Sequence, residues 1–190
     1  MKYCLSGGAK GSDWLFSLIG KELGYKTIAY SFEGHKVYGG IKTDISYDDL
    51  YRYMDEYRRI SNILGRIVSN KPYIQKLILR DFYQILGRFD NKTELVIAVG
   101  ALQGLEINVQ GGTGYAVCIA MEEKIPIILI DKNSDYSYKW FDYELGEWRT
   151  LLNKDIKSLK INKGFTGIGS RDININKARN SIIRLLEKVL

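Results

Sequence analysis

The stretch GFTGIGSRDININKARNSIIRLLEKVL, residues 164–190, reads as an apolar strand, a glycine turn and an amphipathic helix. A strand feeding a helix through a tight turn is the building unit of α/β domains. The same unit occurs twice more. KYCLSGGAKGSD (2–13) runs into a helix at about 12–24, with Leu15, Leu18, Ile19 and Leu23 along one face. ELVIAVG (94–100) is a continuous apolar run, as a strand buried on both faces requires, and VQGGTGYAVCIAMEEK then turns through glycines into a helix.

Further strands are expected at KTIAYSF (26–32) and IPIILID (125–131), with a polar, glycine-containing loop at 33–45. Leu50, Tyr53, Met54, Tyr57, Ile60, Leu64, Ile67 and Val68 recur at three and four, which predicts one long helix. Pro72 opens a second, with Ile74, Ile78, Phe82 and Ile85 inward. These two form a helical-hairpin insert over about 46–88, and the aromatic–polar alternation of 137–151 predicts a β-hairpin. The expected fold is α/β: a Rossmann-like, mostly parallel sheet with helices on both faces, in one domain spanning 1–190.

Composition narrows the function classes. The 28 Lys and Arg exceed the 22 Asp and Glu, but they are scattered, so an anionic small molecule fits better than a nucleic-acid tail. Cys4 and Cys118 lie in apolar runs and suggest neither a disulfide scaffold nor a metal site; a reducing cytoplasm is the expected compartment. MKYCLSGGAK turns polar at once, so no secretory leader is expected, and no run is long enough for a membrane span. No cofactor and no metal are expected.

The chemistry resides in the three glycine turns. In a parallel sheet the strand carboxyl ends share one edge, so the turns can converge there. Glycine lets backbone approach a phosphate, and free N–H groups at a helix start favour an anion. Candidate ligand-binding residues are Ser6, Gly7, Gly8, Lys10 and Asp13 in the first turn, and Gly111, Gly112, Thr113, Gly114 and Tyr115 in the second. Ser170 and Arg171 complete the set in the third, where a guanidinium can grip phosphate bidentately unless it is spent on a salt bridge. Asp13 suits a ribose hydroxyl, or else the first turn of its helix. His35 follows a strand end and is the only histidine; Arg80, flanked by Leu79 and Phe82, needs a carboxylate or a ligand as anionic partner. Tyr115 or Trp140 is a candidate base-stacking ring, while Tyr47, Tyr51, Tyr53 and Tyr57 are explained by helix packing.

SGGAKGSD, GGTGYAV and FTGIGSRD together resemble the signature elements of the SLOG superfamily, Rossmann-like proteins that include the DNA-processing protein A group and the LOG phosphoribohydrolases. More closely, the chain resembles a phage-associated branch with the order SGGAxGxD, an R-N-W-like segment (here RDFYQ, 80–84), GGTGWAV and FAGIG[ST]R. The resemblance implies a circular permutation, in which the GIGSR unit that usually comes first stands last. It also implies a missing catalytic group. LOG hydrolases carry P-G-G-x-G-T-x-x-E, and alignment on GGTGYAVC puts Val117 and Cys118 where carboxylates would be.

The expectation is therefore a non-enzymatic binder of a nucleotide-derived ligand, a cyclic oligonucleotide or an ADP-ribose or NAD-type molecule. In a phage setting it would be a sponge for a host immune second messenger, acting in the host cytoplasm. The alternative is a nucleotide N-glycosidase or phosphoribohydrolase using another carboxylate, Asp13 or Asp131 first. A single-stranded DNA-binding recombination mediator ranks third, against the modest charge. The resemblance further implies a homo-oligomer, and the absence of a membrane-span run makes no membrane partner expected.

Overall fold

The computed structural model describes residues 2–88, 93–103, 108–159 and 161–189. The elements run β1 (Tyr3–Ser6), α1 (Ser12–Glu22), β2 (Lys26–Ser31), β3 (Ile41–Asp44), α2 (Tyr47–Tyr51), α3 (Met54–Ile63), α4 (Pro72–Leu86) and β4 (Leu95–Gly100). They continue with α5 (Gly111–Glu122), β5 (Ile127–Asp131), β6 (Ser137–Asp142), β7 (Glu147–Thr150), α6 (Asn153–Ser158), β8 (Gly164–Gly169) and α7 (Ile175–Val189).

The described strands form one sheet in the order β3-β2-β1-β8-β4-β5-β6-β7. It is parallel from β3 to β5, and the β6–β7 hairpin adds two antiparallel strands at the far edge. The fold is thus α/β with a mostly parallel, Rossmann-like sheet. Counted from β8, the strands β8, β1 and β2 step one way and β4 and β5 the other, which is the doubly wound order. The order reverses between β8 and β4, and that switch point is where such sheets leave a crevice at the carboxyl edge.

Alternation along the strands divides the core between two faces. Leu5, Ile28, Tyr30, Val96, Ala98 and Leu129 face α3, α4 and α5. Cys4, Ile97, Val99, Ile128, Ile130 and Phe165 face α1 and α7. Close approach on the second face depends on missing side chains. A Cβ on Gly167 would lie 2.0 Å from the Phe16 ring, so the bare backbone of β8 is the seat of a fully buried aromatic. Burying such a ring contributes about 1.5–3 kcal/mol. Gly20 similarly lets α1 press against Cys4 of β1.

The expected loop at 33–45 contains β3, an edge strand parallel to β2. Its residues are exposed or half-buried, so no apolar alternation marks it. The single helix expected over 50–68 is two. α2 ends at Tyr51, α3 starts at Met54, and Gly65, at φ 62°, stops the second in the left-handed region that glycine tolerates. The spacing persisted across the break because both pieces pack under the same neighbours, whereas Ile67, 94 % exposed, lies outside the core. The second helix of the expected insert, α4, lies on the sheet itself: residues 78–85 are all buried, between β1, β2 and α5. The β-hairpin forms as expected, while α6 was not anticipated. Among the described residues, no helix is long and apolar enough to cross a membrane.

Candidate functional site

The three glycine turns meet at the carboxyl edge, and the first and third are joined by hydrogen bonds. Gly11, at φ 101°, passes so close beneath the third turn that a Cβ there would lie 2.7 Å from the Arg171 Cα. Ser12 donates to the Ser170 carbonyl from both its N–H (3.2 Å) and its Oγ (2.9 Å). Asp13 Oδ1 accepts the Gly169 N–H at 3.1 Å. Ser12 thus ties the first turn to the third.

The second turn starts α5 without a side-chain cap, and Gly111 and Gly112 are exposed. Its geometry is fixed from behind by Arg66, whose Nη1 and Nη2 donate to the carbonyls of Gly111 and Val109, both at 2.7 Å. The same guanidinium lies over the Tyr115 ring, 5.2 Å from its centroid. The positive end of the α5 dipole and its first N–H groups are left open to an anion.

Between these turns lies a cleft of about 540 Å³. Gly111, Gly112, Thr113, Ser170 and Arg171 line one end, Tyr57, Ile67, Ile74, Leu77 and Ile78 form an apolar wall, and Asp13, Arg80 and Asp81 lie in its floor. The volume falls in the range of small-molecule sites, about 300–1,000 Å³.

The floor is a buried charge cluster. Arg80, 5 % exposed, donates from Nη1 to the Gly7 carbonyl and from Nη2 to Asp81 Oδ1, both at 2.8 Å. Asp13 Oδ2 lies 3.9 Å from the same Nη2. Arg80 Nε has no hydrogen-bond partner among the described residues, at a cost of about 1–3 kcal/mol for a buried donor. Desolvation opposes the Arg80 charge, but Asp81 and Asp13 more than offset it and hold the group protonated. Burial pushes the Asp81 carboxyl up to about 6, against the pull of Arg80. Asp13 is raised by burial too, although Arg80 and the N–H groups of Gly169 and Ala9 favour its charge. His35 moves in the opposite sense. Burial, then the charges of Arg80 and Arg171, lower it to about 4.

These shifts have opposite consequences for stability. Asp81 binds its proton more tightly folded than unfolded, so its contribution is present below about pH 4 and lost as pH rises through 6. His35 contributes above its ordinary 6.5 and loses that contribution as pH falls through 4. Urea unfolding of Asp81→Asn should therefore show stability gaining on the wild type between pH 4 and 6, and His35→Gln should show it losing ground. Parallel pH profiles for all three proteins would contradict both assignments.

Eight of the expected residues line the cleft: Asp13, Arg80, Gly111, Gly112, Thr113, Tyr115, Ser170 and Arg171. The others do not. Ser6 is buried, its Oγ 2.8 Å from Ser17 Oγ and accepting the Gly8 N–H at 3.1 Å. Gly7 supplies the carbonyl for Arg80, and Gly8 packs on Val37 and Ala29. Lys10 is exposed. His35 is buried, stacked on Phe32, with Nδ1 3.1 Å from Ser31 Oγ. Gly114 lies under the Val109 carbonyl, inside the helix packing. Ser170 and Arg171 adjoin Gly11 and Ser12. Trp140 lines a separate pocket beside Ile128 and Leu151, away from the three turns. Asp131 is occupied locally, accepting from Leu102 N, Asn133 N and Ser134 Oγ. Val117 and Cys118 line a different groove beside Met121 and Phe141.

Sequence reading missed Asp81, Arg66 and the apolar wall. Asp81 sits one residue beyond Arg80, and its burial on α4 becomes visible only when α5 packs. Arg66 lies in an irregular segment after α3, where no periodicity singles it out.

Fold and cleft define a Rossmann-like α/β protein with a mixed polar and apolar crevice at its switch point. No protein-family model, no curated protein and no solved structure matches this chain.

Proposed function

We propose that the protein binds a nucleotide-derived ligand without turning it over. The observation that carries this reading is the convergence of all three glycine turns on one cleft that also has an apolar wall. Phosphate suits the open start of α5 and the Arg171 guanidinium, which has no ion-pair partner among the described residues. A base suits the wall of Tyr57, Ile67 and Ile74. The segment aligned with the LOG glutamate faces another groove, so the α5 side of the cleft offers no carboxylate for cleaving a glycosidic bond. In the phage setting that the sequence resemblance suggests, tight binding without release of product is what a sponge for an immune second messenger requires.

Thermal-shift and calorimetric titration with AMP, ADP-ribose, NAD and cyclic dinucleotides tests the reading. Binding with no product by chromatography supports it, and no affinity for any of them overturns it. Arg171→Ala should weaken binding at least about tenfold with an unchanged melting temperature, because the side chain is exposed and unpaired. Unfolding without loss of affinity would assign Arg171 to structure.

A second reading is favoured by one observation, the two buried carboxylates Asp13 and Asp81 sharing Arg80 in the floor. A carboxyl at about 6 is suited to acid–base work on an N-glycosidic bond. Release of free base from a nucleoside monophosphate or NAD would establish that reading and remove the sponge.

A further inference from the structure

We propose that Asp13 and Asp81 act together as the receptor for a ribose cis-diol, so that the cleft selects ligands with free 2′- and 3′-hydroxyls. The proposal rests on the nucleotide reading above and specifies its ligand.

Asp13 Oδ1 takes the Gly169 N–H, the Ala9 N–H also favours its charge, and its Oδ2 stands 3.9 Å from Arg80 Nη2, beyond hydrogen-bond reach of it. Asp81 Oδ1 takes Arg80 Nη2, and its Oδ2 has no hydrogen bond among the described residues. Both carboxylates stand near Nη2 of Arg80, Asp81 Oδ1 at 2.8 Å and Asp13 Oδ2 at 3.9 Å, and both residues line the same cleft. An ionised carboxylate only accepts hydrogen bonds. The occupant of that region must therefore supply two adjacent donors.

Among the parts of a nucleotide, phosphate is excluded from this spot. It has no proton to give at neutral pH and would add negative charge beside two carboxylates already sharing a single cation. A base edge presents its donors in one plane at a ring's periphery and is better matched to the apolar wall. The vicinal hydroxyls of ribose are neutral, adjacent and both donors.

This choice divides the candidate ligands. ADP-ribose, NAD and AMP carry free cis-diols. In a 3′,5′-linked cyclic dinucleotide each 3′-oxygen is esterified, which leaves no adjacent pair. The structure therefore points to the ADP-ribose type.

Calorimetric titration of the full chain with AMP, 2′-deoxy-AMP, 2′,3′-dideoxy-AMP, ADP-ribose and 3′,5′-cyclic di-AMP tests this. AMP and ADP-ribose should bind, 2′-deoxy-AMP about tenfold or more weaker, and the dideoxy compound weaker again. In Asp81→Asn, and independently in Asp13→Asn, the ratio between AMP and its 2′-deoxy analogue should shrink toward one, with folding checked by circular dichroism. Equal affinities of the wild type for AMP and 2′-deoxy-AMP, or cyclic di-AMP binding as tightly as AMP, would overturn the diol receptor and leave nucleotide binding intact. Absence of binding by all five compounds would overturn the nucleotide reading itself.

Discussion

Arg80→Ala is expected to lower the stability of the fold by about 3–5 kcal/mol at pH 7.5, the range for removing one partner of a buried charge cluster. The guanidinium satisfies the Gly7 carbonyl, pairs with Asp81 and stands against Asp13, and all three lie inside the protein. Without it two buried carboxylates face each other with no cation, and they regain neutrality only by taking up protons. Because burial already raises both carboxyls, the deficit should shrink as the pH falls toward 5. Lysine should rescue little, since one ammonium cannot reproduce the planar fork that serves Gly7 and Asp81 from separate nitrogens. Arg80→Ala combined with Asp81→Asn should recover part of the loss, because only one carboxylate then remains exposed to the vacancy. Urea unfolding at the two pH values measures all of this. A loss below about 1 kcal/mol at pH 7.5 would mean that water reaches the cluster and screens it.

That cluster also marks the limit of what sequence reveals. Arg80 is legible as a buried cation because apolar residues flank it on a helix, and its need for an anionic partner, carboxylate or ligand, follows from burial alone. Which carboxylate was not legible. Asp13 comes from the first turn, 67 positions earlier in the chain, and reaches Arg80 only because β1 and α4 are packed by the sheet. Asp81 carries no local sign of its burial, since nothing in its neighbours records that α4 is covered on all sides over its second half.

The strands followed the same logic. β4 and β5 are buried on both faces, so their composition is almost continuously apolar. β3, exposed or half-buried throughout, has no such signature and resembles a loop in sequence. His35 and Lys10 were overread for the opposite reason. Both stand near a glycine turn in sequence, but the Ser31 and Phe32 contacts draw His35 into the packing, and Lys10 stays in solvent. Proximity to a motif along the chain did not make either side chain part of the cleft lining, although Ala9, beside Lys10, is.

Two neighbouring glycines of the second turn should separate folding from binding. In Gly114→Ala the new Cβ would lie 2.1 Å from the Val109 carbonyl oxygen and 2.8 Å from both terminal nitrogens of Arg66. Arg66 can shift, but only by releasing the carbonyls of Val109 and Gly111 that it holds in place. The backbone oxygen has no such freedom, so α5 itself must move away from the strand it follows. A cost of about 3 kcal/mol or more is expected, at the upper end for overpacking, together with loss of ligand affinity as the start of α5 is displaced. Gly112→Ala presents the opposite case. Nothing lies within 4 Å of its new methyl, and Gly112 has no positive φ. Alanine there should hold or raise the melting temperature, by up to about 1 kcal/mol from helix propensity. Yet Gly112 lines the cleft at the α5 start, and a methyl group there keeps a phosphate from approaching the N–H groups. Nucleotide affinity should fall about tenfold or more in a protein that melts no earlier than the wild type. Unchanged affinity in Gly112→Ala would move the phosphate away from α5 and toward Arg171 and the third turn. Unchanged stability in Gly114→Ala would mean that the approach of α5 to Val109 is looser than the packing requires.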